Sequence, residues 1–522
     1  TSPVRHFFKI KIMYGSVEPT SDDKGFTDRD PLGGKAGTVE GPLDNKKQQQ
    51  PLYCLVATLT AILIGIVAVS FSGKILMSPN LSATIVSQSA TTTVSKRGST
   101  LKAVRDDIPL FMKAIQDAYH PTDNPNGYLV MLVAENKLMW KEMAQKLEQV
   151  QASNPLPSWI FNYGDMGGED NFKQSMADLM QHWIQAPVNK TYLRFQDGAG
   201  SVLAQIAFAL TDPGDGILTP APGYIAFEAD FGMYTGAKLH WIGTHAEKGY
   251  VPTEVELNEG YDKSVAAGNP PRILIICQPQ NPTGVVYSKS EMAFMMDWAL
   301  KKGLHVVSDE IYALSTFPGY STTSAADIMR DKFPDSPTYL GDYVHIVAGL
   351  SKDWGMSGFR VGSLFTHNAQ LLSAIDMIGY YQSVSRYTQF ALTGVFNDHD
   401  FVSWYIEENR RRLYETYQAL KDALDLIQVP LFPSQGAIFA WADFSSYLLD
   451  GQSEKELWLE LFNDAKIALT SGENCIANKP GMFRIVYGWP EGGTVAMEEF
   501  GQRLVKWKTN REAKNKQNNN QR

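Results

Sequence analysis

Six residues of different chemistry stand beyond the ends of apolar runs in this sequence. "RILIIC" (272–277) is followed by "QPQNPTG", which delivers Asn281. "LHVVS" (304–308) is followed by Asp309 and, three positions on, Tyr312. "HIVAGL" (345–350) is followed by Ser351 and Lys352, and a Gly-containing turn then leads to Arg360, eight positions after the lysine. Each has an ordinary explanation alone. An Asn-Pro-x-Gly is a turn, an Asp after a strand caps a helix, and a lone Lys is solvated surface. Their joint occurrence, in this order and always at the end of a run, points to chemistry.

A lysine amine forms a Schiff base with an aldehyde, and the common biological aldehyde of this kind is pyridoxal phosphate. Its pyridine nitrogen must be kept protonated, and Asp309 is the carboxylate for that. Its phenolic oxygen needs hydrogen-bond donors, which Asn281 and Tyr312 supply. Its phosphate needs a cation and the N–H groups of a helix start. Arg360 offers a planar fork suited to phosphate oxygens, and "DGAGSVLAQIAFAL" (197–210) places Gly198, Ala199 and Gly200 at a helix start. Ser351, next to the lysine, joins the cofactor set. Tyr224, in "TPAPGYIAF", is the candidate ring to stack on the cofactor.

These residues need a scaffold that brings strand ends together. The continuous apolar runs, including "GILTP" (216–220) and "VGSLFT" (361–366), alternate with amphipathic stretches such as "SKSEMAFMMDWALKKG" (288–303). Fully apolar strands separated by helices predict an α/β fold with a mostly parallel sheet covered on both faces. Such sheets bind ligands outside the carboxyl ends of their strands, where the polar residues fall.

"NPTG", "SDEIYA" and "SKDWGMSGFRVG" resemble the fold-type I, pyridoxal phosphate-dependent class I/II aminotransferases, over about residues 101–507. Within that family, "NPNGYLVMLVAEN" (124–136) and "KPGMFRIVYG" (479–488) are similar to the 1-aminocyclopropane-1-carboxylate (ACC) synthase-like branch. The resemblance implies a Schiff base on Lys352, with Lys352, Asp309 and Tyr312 as the catalytic group. It also implies Arg484 as the clamp on a substrate α-carboxylate, assisted by Asn281, and Glu135 beside the substrate side chain. A bidentate arginine is the natural holder of a carboxylate. The resemblance further implies a homodimer, with a large domain at 196–395 and a smaller α+β domain formed by 101–195 with 396–507. Two positions depart from the branch. Gly349 stands where a phosphate-binding serine is usual, and Met166 stands where a tyrosine normally reaches the partner's phosphate, with Tyr163 as a substitute. The expected activity is that of an aminotransferase on an α-amino acid. The alternatives are ACC synthesis from S-adenosylmethionine and a membrane-tethered homologue that binds the cofactor without turnover.

With 522 residues, 44% hydrophobic, the chain is long enough for more than one domain. A net charge of −9 argues against nucleic acid as a partner. Three distant cysteines indicate neither a metal site nor a disulfide framework. Residues 15–50 carry too little apolar surface to fold alone, and the segment 1–50 is expected to be disordered. Residues 52–71 run without a charge, so a single-pass transmembrane helix is expected within 51–73, followed by a polar linker at 74–100. Lys46 and Lys47 before the run, against Lys74 after it, favour a cytoplasmic amino terminus. The tail, 508–522, is polar and expected to be disordered.

Overall fold

The computed structural model describes residues 94–100, 107–336 and 338–520. The amino-terminal segment, the proposed span at 52–71 and most of the linker lie outside the described residues. Among the described residues no helix is long and apolar enough to cross a membrane. The expected single-pass localisation is therefore corrected: no helix among the described residues is of a length and apolarity to support it.

The main sheet has seven strands: β1 (Leu193–Gln196), β2 (Gly216–Ala221), β3 (Lys238–Gly243), β4 (Pro271–Cys277), β5 (His305–Asp309), β6 (Val344–Gly349) and β7 (Gly362–Thr366). Their order is β1-β7-β6-β5-β4-β2-β3. β2 to β6 pair in parallel with their neighbours, and β7 runs antiparallel to both β6 and β1. Ile273 to Ile276 of β4 are fully buried, as are Val306 and Val307 of β5 and Ile346 and Val347 of β6. Continuous apolar runs are what a sheet covered on both faces requires. Helix α1 (Ala199–Leu210) packs Val202, Leu203 and Ile206 on one face, while α2 (Lys289–Lys301) sets Met292, Met295 and Met296 into another core cluster. α2 is held at its start by a capping box between Ser288 and Glu291.

A second core collects residues 114–134 and 413–507 around an antiparallel three-stranded sheet. Its strands are β8 (Phe439–Asp443), β9 (Thr470–Ser471) and β10 (Met482–Val486), in the order β9-β10-β8. Two 27-residue helices, α3 (His399–Asp425) and α4 (Thr494–Asn520), flank it. α4 overturns the expectation of a disordered tail. Leu504 and Trp507 are buried, and Arg511 donates to Glu460, to Gln452 and to the Tyr447 carbonyl. These contacts anchor the last turns of a segment whose composition alone reads as polar coil.

Candidate active site

The parallel register of β4, β5 and β6 brings Cys277, Asp309 and Val347 abreast. Asn281, Asp309 and Lys352 thereby meet at one edge of the sheet. They line a cavity of about 230 Å³ together with Ala199, Gly200, Tyr224, Tyr312, Ser351 and Arg360. Gly198, Glu135 and Arg484 do not line this cavity but touch residues that do: Glu135 accepts from Ser357, Arg484 donates to Asn281, and Gly198 lies against Arg360.

Lys352 is enclosed at its amine, although the side chain as a whole is only half-buried. Its Nζ donates to the Ala134 carbonyl at 2.6 Å. Burial lowers its pKa to about 8, with Arg484 adding to the fall and Glu135 and Asp309 opposing it. Arg484 is buried on β10. One Nη donates to Asn281 Oδ1 at 3.0 Å, and the other to the Leu132 carbonyl at 2.8 Å and to Thr470 Oγ1 at 3.2 Å. Its Nε is buried without a partner, and among the described residues it forms no ion pair. A buried guanidinium lacking a counter-ion is costly, and a ligand carboxylate relieves that cost. Asn281 turns its amide nitrogen toward the Tyr312 hydroxyl at 3.5 Å. Burial pushes the Tyr312 phenol well above its usual value, so it stays a neutral donor.

Pyridoxal phosphate fits these residues. Asp309 is 6% exposed, with a single long bond from the Ile311 N–H at 3.4 Å. Burial above all, with the carboxylates of Asp230 and Glu310, raises its pKa to about 7 against the opposing Ile311 N–H and Lys352. A pyridinium N–H gives this carboxylate the cationic donor that the protein alone does not provide. The phosphate end is equally formed. No side chain caps the start of α1, which leaves that helix end suited to an anion. The Arg360 guanidinium lies so close to Gly198 that a Cβ there would sit 2.3 Å from Nη2. Gly198 also has φ of +114°, outside the range of L side chains. Tyr224 lines the cavity half-buried, edge-on to Phe227.

The two departures have different structural outcomes. At Gly349 a Cβ would lie 2.8 Å from the Val361 carbonyl oxygen, so a serine there requires the backbone just before β7 to shift. Met166 and Tyr163 do not line the catalytic cavity. They lie in a separate surface depression of about 840 Å³ with Tyr380, Arg386 and Tyr387, where Tyr163 is 89% exposed.

The sequence reading missed several neighbours. Ser357 lines the cavity and donates to Glu135 Oε1 at 2.6 Å. Asp230 and Cys277 line it too. A buried chain links the two loops behind the lysine: Asn136 donates to Asn409 Oδ1 at 2.8 Å, and Asn409 donates to the Asp353 carbonyl at 3.3 Å. Ser357 was within reach of sequence reading, since it lies between Lys352 and Arg360 in the same turn. Asn409 carries no local signal, because only tertiary packing brings α3 to that loop.

Residues 125–500 match the family described as aminotransferase class I and II. ACC synthase 6 of Oryza sativa subsp. japonica is 29% identical over 427 residues, covering 76% of this chain and 75% of that one. A mouse protein described as probable inactive ACC synthase-like protein 2 is 31% identical, over 76% of this chain and 69% of its own. Among solved structures, a Thermus thermophilus aspartate aminotransferase double mutant superposes with a TM-score of 0.65 at 18% identity, over 79% of this chain and all of that one. The last likeness establishes the fold alone. With a family match across most of its length and a cavity that meets the demands of pyridoxal phosphate at both ends, the chain belongs to the class I and II aminotransferase family, and its cofactor is pyridoxal phosphate.

Proposed function

We propose that this protein is an aminotransferase acting on an α-amino acid, working as a homodimer. The observation that carries this reading is Arg484: a buried guanidinium with no carboxylate partner among the described residues, close enough to Lys352 to depress its amine. It is placed to receive the α-carboxylate of a substrate whose α-carbon then lies beside that amine. Bound pyridoxal phosphate supplies an electron sink for the electrons left when the α-proton departs. The chain's own residues do the rest. Arg484 fixes the substrate by its carboxylate, with Asn281 holding the guanidinium in plane. The Lys352 amine removes the α-proton as general base and returns it at the cofactor side. Asp309 holds the ring nitrogen's proton. Tyr312 and Asn281 orient the phenolic edge, while Arg360 and the start of α1 hold the phosphate. The same reading assigns a large domain to residues 196–395 and a smaller one to 101–195 with 396–507.

ACC synthesis from S-adenosylmethionine is the second reading. It is favoured by the Glu135 carboxylate held beside the cavity and by relatives that are named ACC synthases. It shares the first deprotonation but also requires the γ-carbon to face the reacting carbon, a strict geometric demand. The lack of a serine at Gly349 removes one contact that would help fix cofactor tilt. A cofactor-binding protein without turnover is disfavoured by the intact Lys352, Asp309 and Arg484. Incubating the purified protein with amino-acid and keto-acid pairs, and separately with S-adenosylmethionine, tests the choice. Keto-acid products are expected. Methylthioadenosine and ACC with no keto acid from any pair would replace the first reading with the second.

A further inference from the structure

One short segment receives both Lys352 and Arg484. The Leu132 carbonyl accepts from Arg484 at 2.8 Å, and the Ala134 carbonyl, two residues on, accepts from Lys352 Nζ at 2.6 Å. The segment thereby spaces the carboxylate clamp from the amine that must reach the α-carbon. Its position relative to the lysine loop is set from the interior by a side chain of α3. Asn136 donates to Asn409 Oδ1 at 2.8 Å, and Asn409 donates to the Asp353 carbonyl at 3.3 Å. Asn136 is itself steadied by the Leu138 N–H, which donates to its Oδ1 at 3.1 Å. Both asparagines are 1% exposed. Trp140 also joins the two loops, through the Gly355 carbonyl at 3.0 Å, but does so at the surface. The interior bridge needs an acceptor and a donor on one short side chain, which an amide offers and a carboxylate does not. The contacts form a closed circuit: the Lys352 amine, Ala134, Asn136, Asn409, Asp353, and back to the lysine backbone.

We propose that Asn409 is a positioning residue for the reaction: it closes this buried circuit and so sets the reach between the Lys352 amine and the Arg484 guanidinium. A substrate clamped by its carboxylate then presents its α-carbon to the amine. Breaking the bridge lets the two loops part. The amine gains water and moves away from Arg484, and these are the two main influences that lower its pKa. Glu135 and Asp309, which raise it, and Arg360, which lowers it slightly, are the other charges that bear on the amine. Loss of the bridge therefore moves the lysine up, toward its ordinary value. Arg410, the next residue of α3, serves a different loop, since it donates to the Thr316 and Phe317 carbonyls.

The catalytic half of this inference rests on the aminotransferase reading, while the amine's pKa is read without turnover. The cofactor-free protein is mixed with pyridoxal phosphate between pH 6 and pH 10, and the midpoint of the capture rate is followed by stopped-flow absorbance. Asn409→Ala is expected to move that midpoint up from about 8 by about half to one pH unit. Asn136→Ala breaks the same bridge from its other end and should move it equally, so either variant suffices where the other fails to fold. Combining the two should add nothing, because one bridge can be lost only once. Arg410→Ala should lower the unfolding temperature and leave the midpoint in place. In a single turnover of the cofactor-loaded protein, the two asparagine variants should form keto acid about tenfold to a hundredfold more slowly. An unmoved midpoint in a folded Asn409→Ala or Asn136→Ala, additive shifts in the double variant, or an equal shift in Arg410→Ala would overturn the positioning role. An unmodified protein that captures the cofactor and yields no keto acid from any amino acid would overturn the functional reading instead, and the midpoints would still decide the role of Asn409.

Discussion

Lys352 and Arg484 are both cationic, yet the fold buries them within Coulombic reach of each other, and the lysine yields by losing affinity for its proton. Attack on an aldehyde requires the neutral amine, and the lowered pKa raises its share at neutral pH. Capture of pyridoxal phosphate by the cofactor-free protein should therefore accelerate about tenfold per pH unit up to about 8 and then level off, rather than climb toward the ordinary lysine value. Stopped-flow absorbance from pH 6 to 10 measures this. Lys352→Ala should keep its circular dichroism spectrum and lose turnover by at least roughly 10²–10⁴-fold, the share of proton transfer alone. Asp309→Asn should retain bound cofactor and lose most activity, because a neutral partner cannot hold the ring proton.

At the scale of elements, the site was legible wherever one motif follows one strand. Asn281, Asp309 and Lys352 each trail a buried run, and a parallel sheet places such ends together. Gly349 was read as a lost phosphate contact, and in the structure a Cβ there would meet the Val361 carbonyl just before β7. Gly349→Ser should accordingly fail to strengthen cofactor binding. It should instead cost about 1–3 kcal/mol of stability through overpacking against the Val361 carbonyl. Thermal unfolding together with a cofactor titration checks both halves. What sequence did not reveal depends on distant segments. Asn409 reaches the lysine loop from a 27-residue helix. The tail is held as helix by Glu460, Gln452 and the Tyr447 carbonyl, partners 47 to 64 positions before Arg511 or Trp507.

For the molecule as a whole, the buried carboxylate of Asp309 ties stability to pH. Its pKa in the folded chain, about 7, lies above the ordinary 3.8. The folded state thus holds this proton more tightly than the unfolded one. The stability so contributed is full below about pH 4 and is lost as pH rises through 7. Asp309→Asn lacks this loss. In the cofactor-free protein its stability advantage over the unmodified chain should grow by roughly 2–3 kcal/mol between pH 5 and pH 8. Urea unfolding at the two pH values measures the change, and a constant difference would mean that Asp309 is not the strained carboxylate described here.

The central claim is that Lys352 and Arg484 act together on an α-amino acid with pyridoxal phosphate bound between them. Its most direct measurement is a single turnover. The cofactor-loaded protein, without a keto-acid acceptor, is mixed with a panel of amino acids, and the visible absorbance and the keto acid formed are quantified together. The account predicts loss of the cofactor's band with about one equivalent of keto acid per site, and no keto acid from Lys352→Ala. Arg484→Lys should weaken the response to every amino acid alike, since a lysine cannot reproduce the guanidinium fork. Keto acid formed at an unchanged rate by Lys352→Ala, or an unmodified protein that binds the cofactor and releases no keto acid from any amino acid, would contradict it.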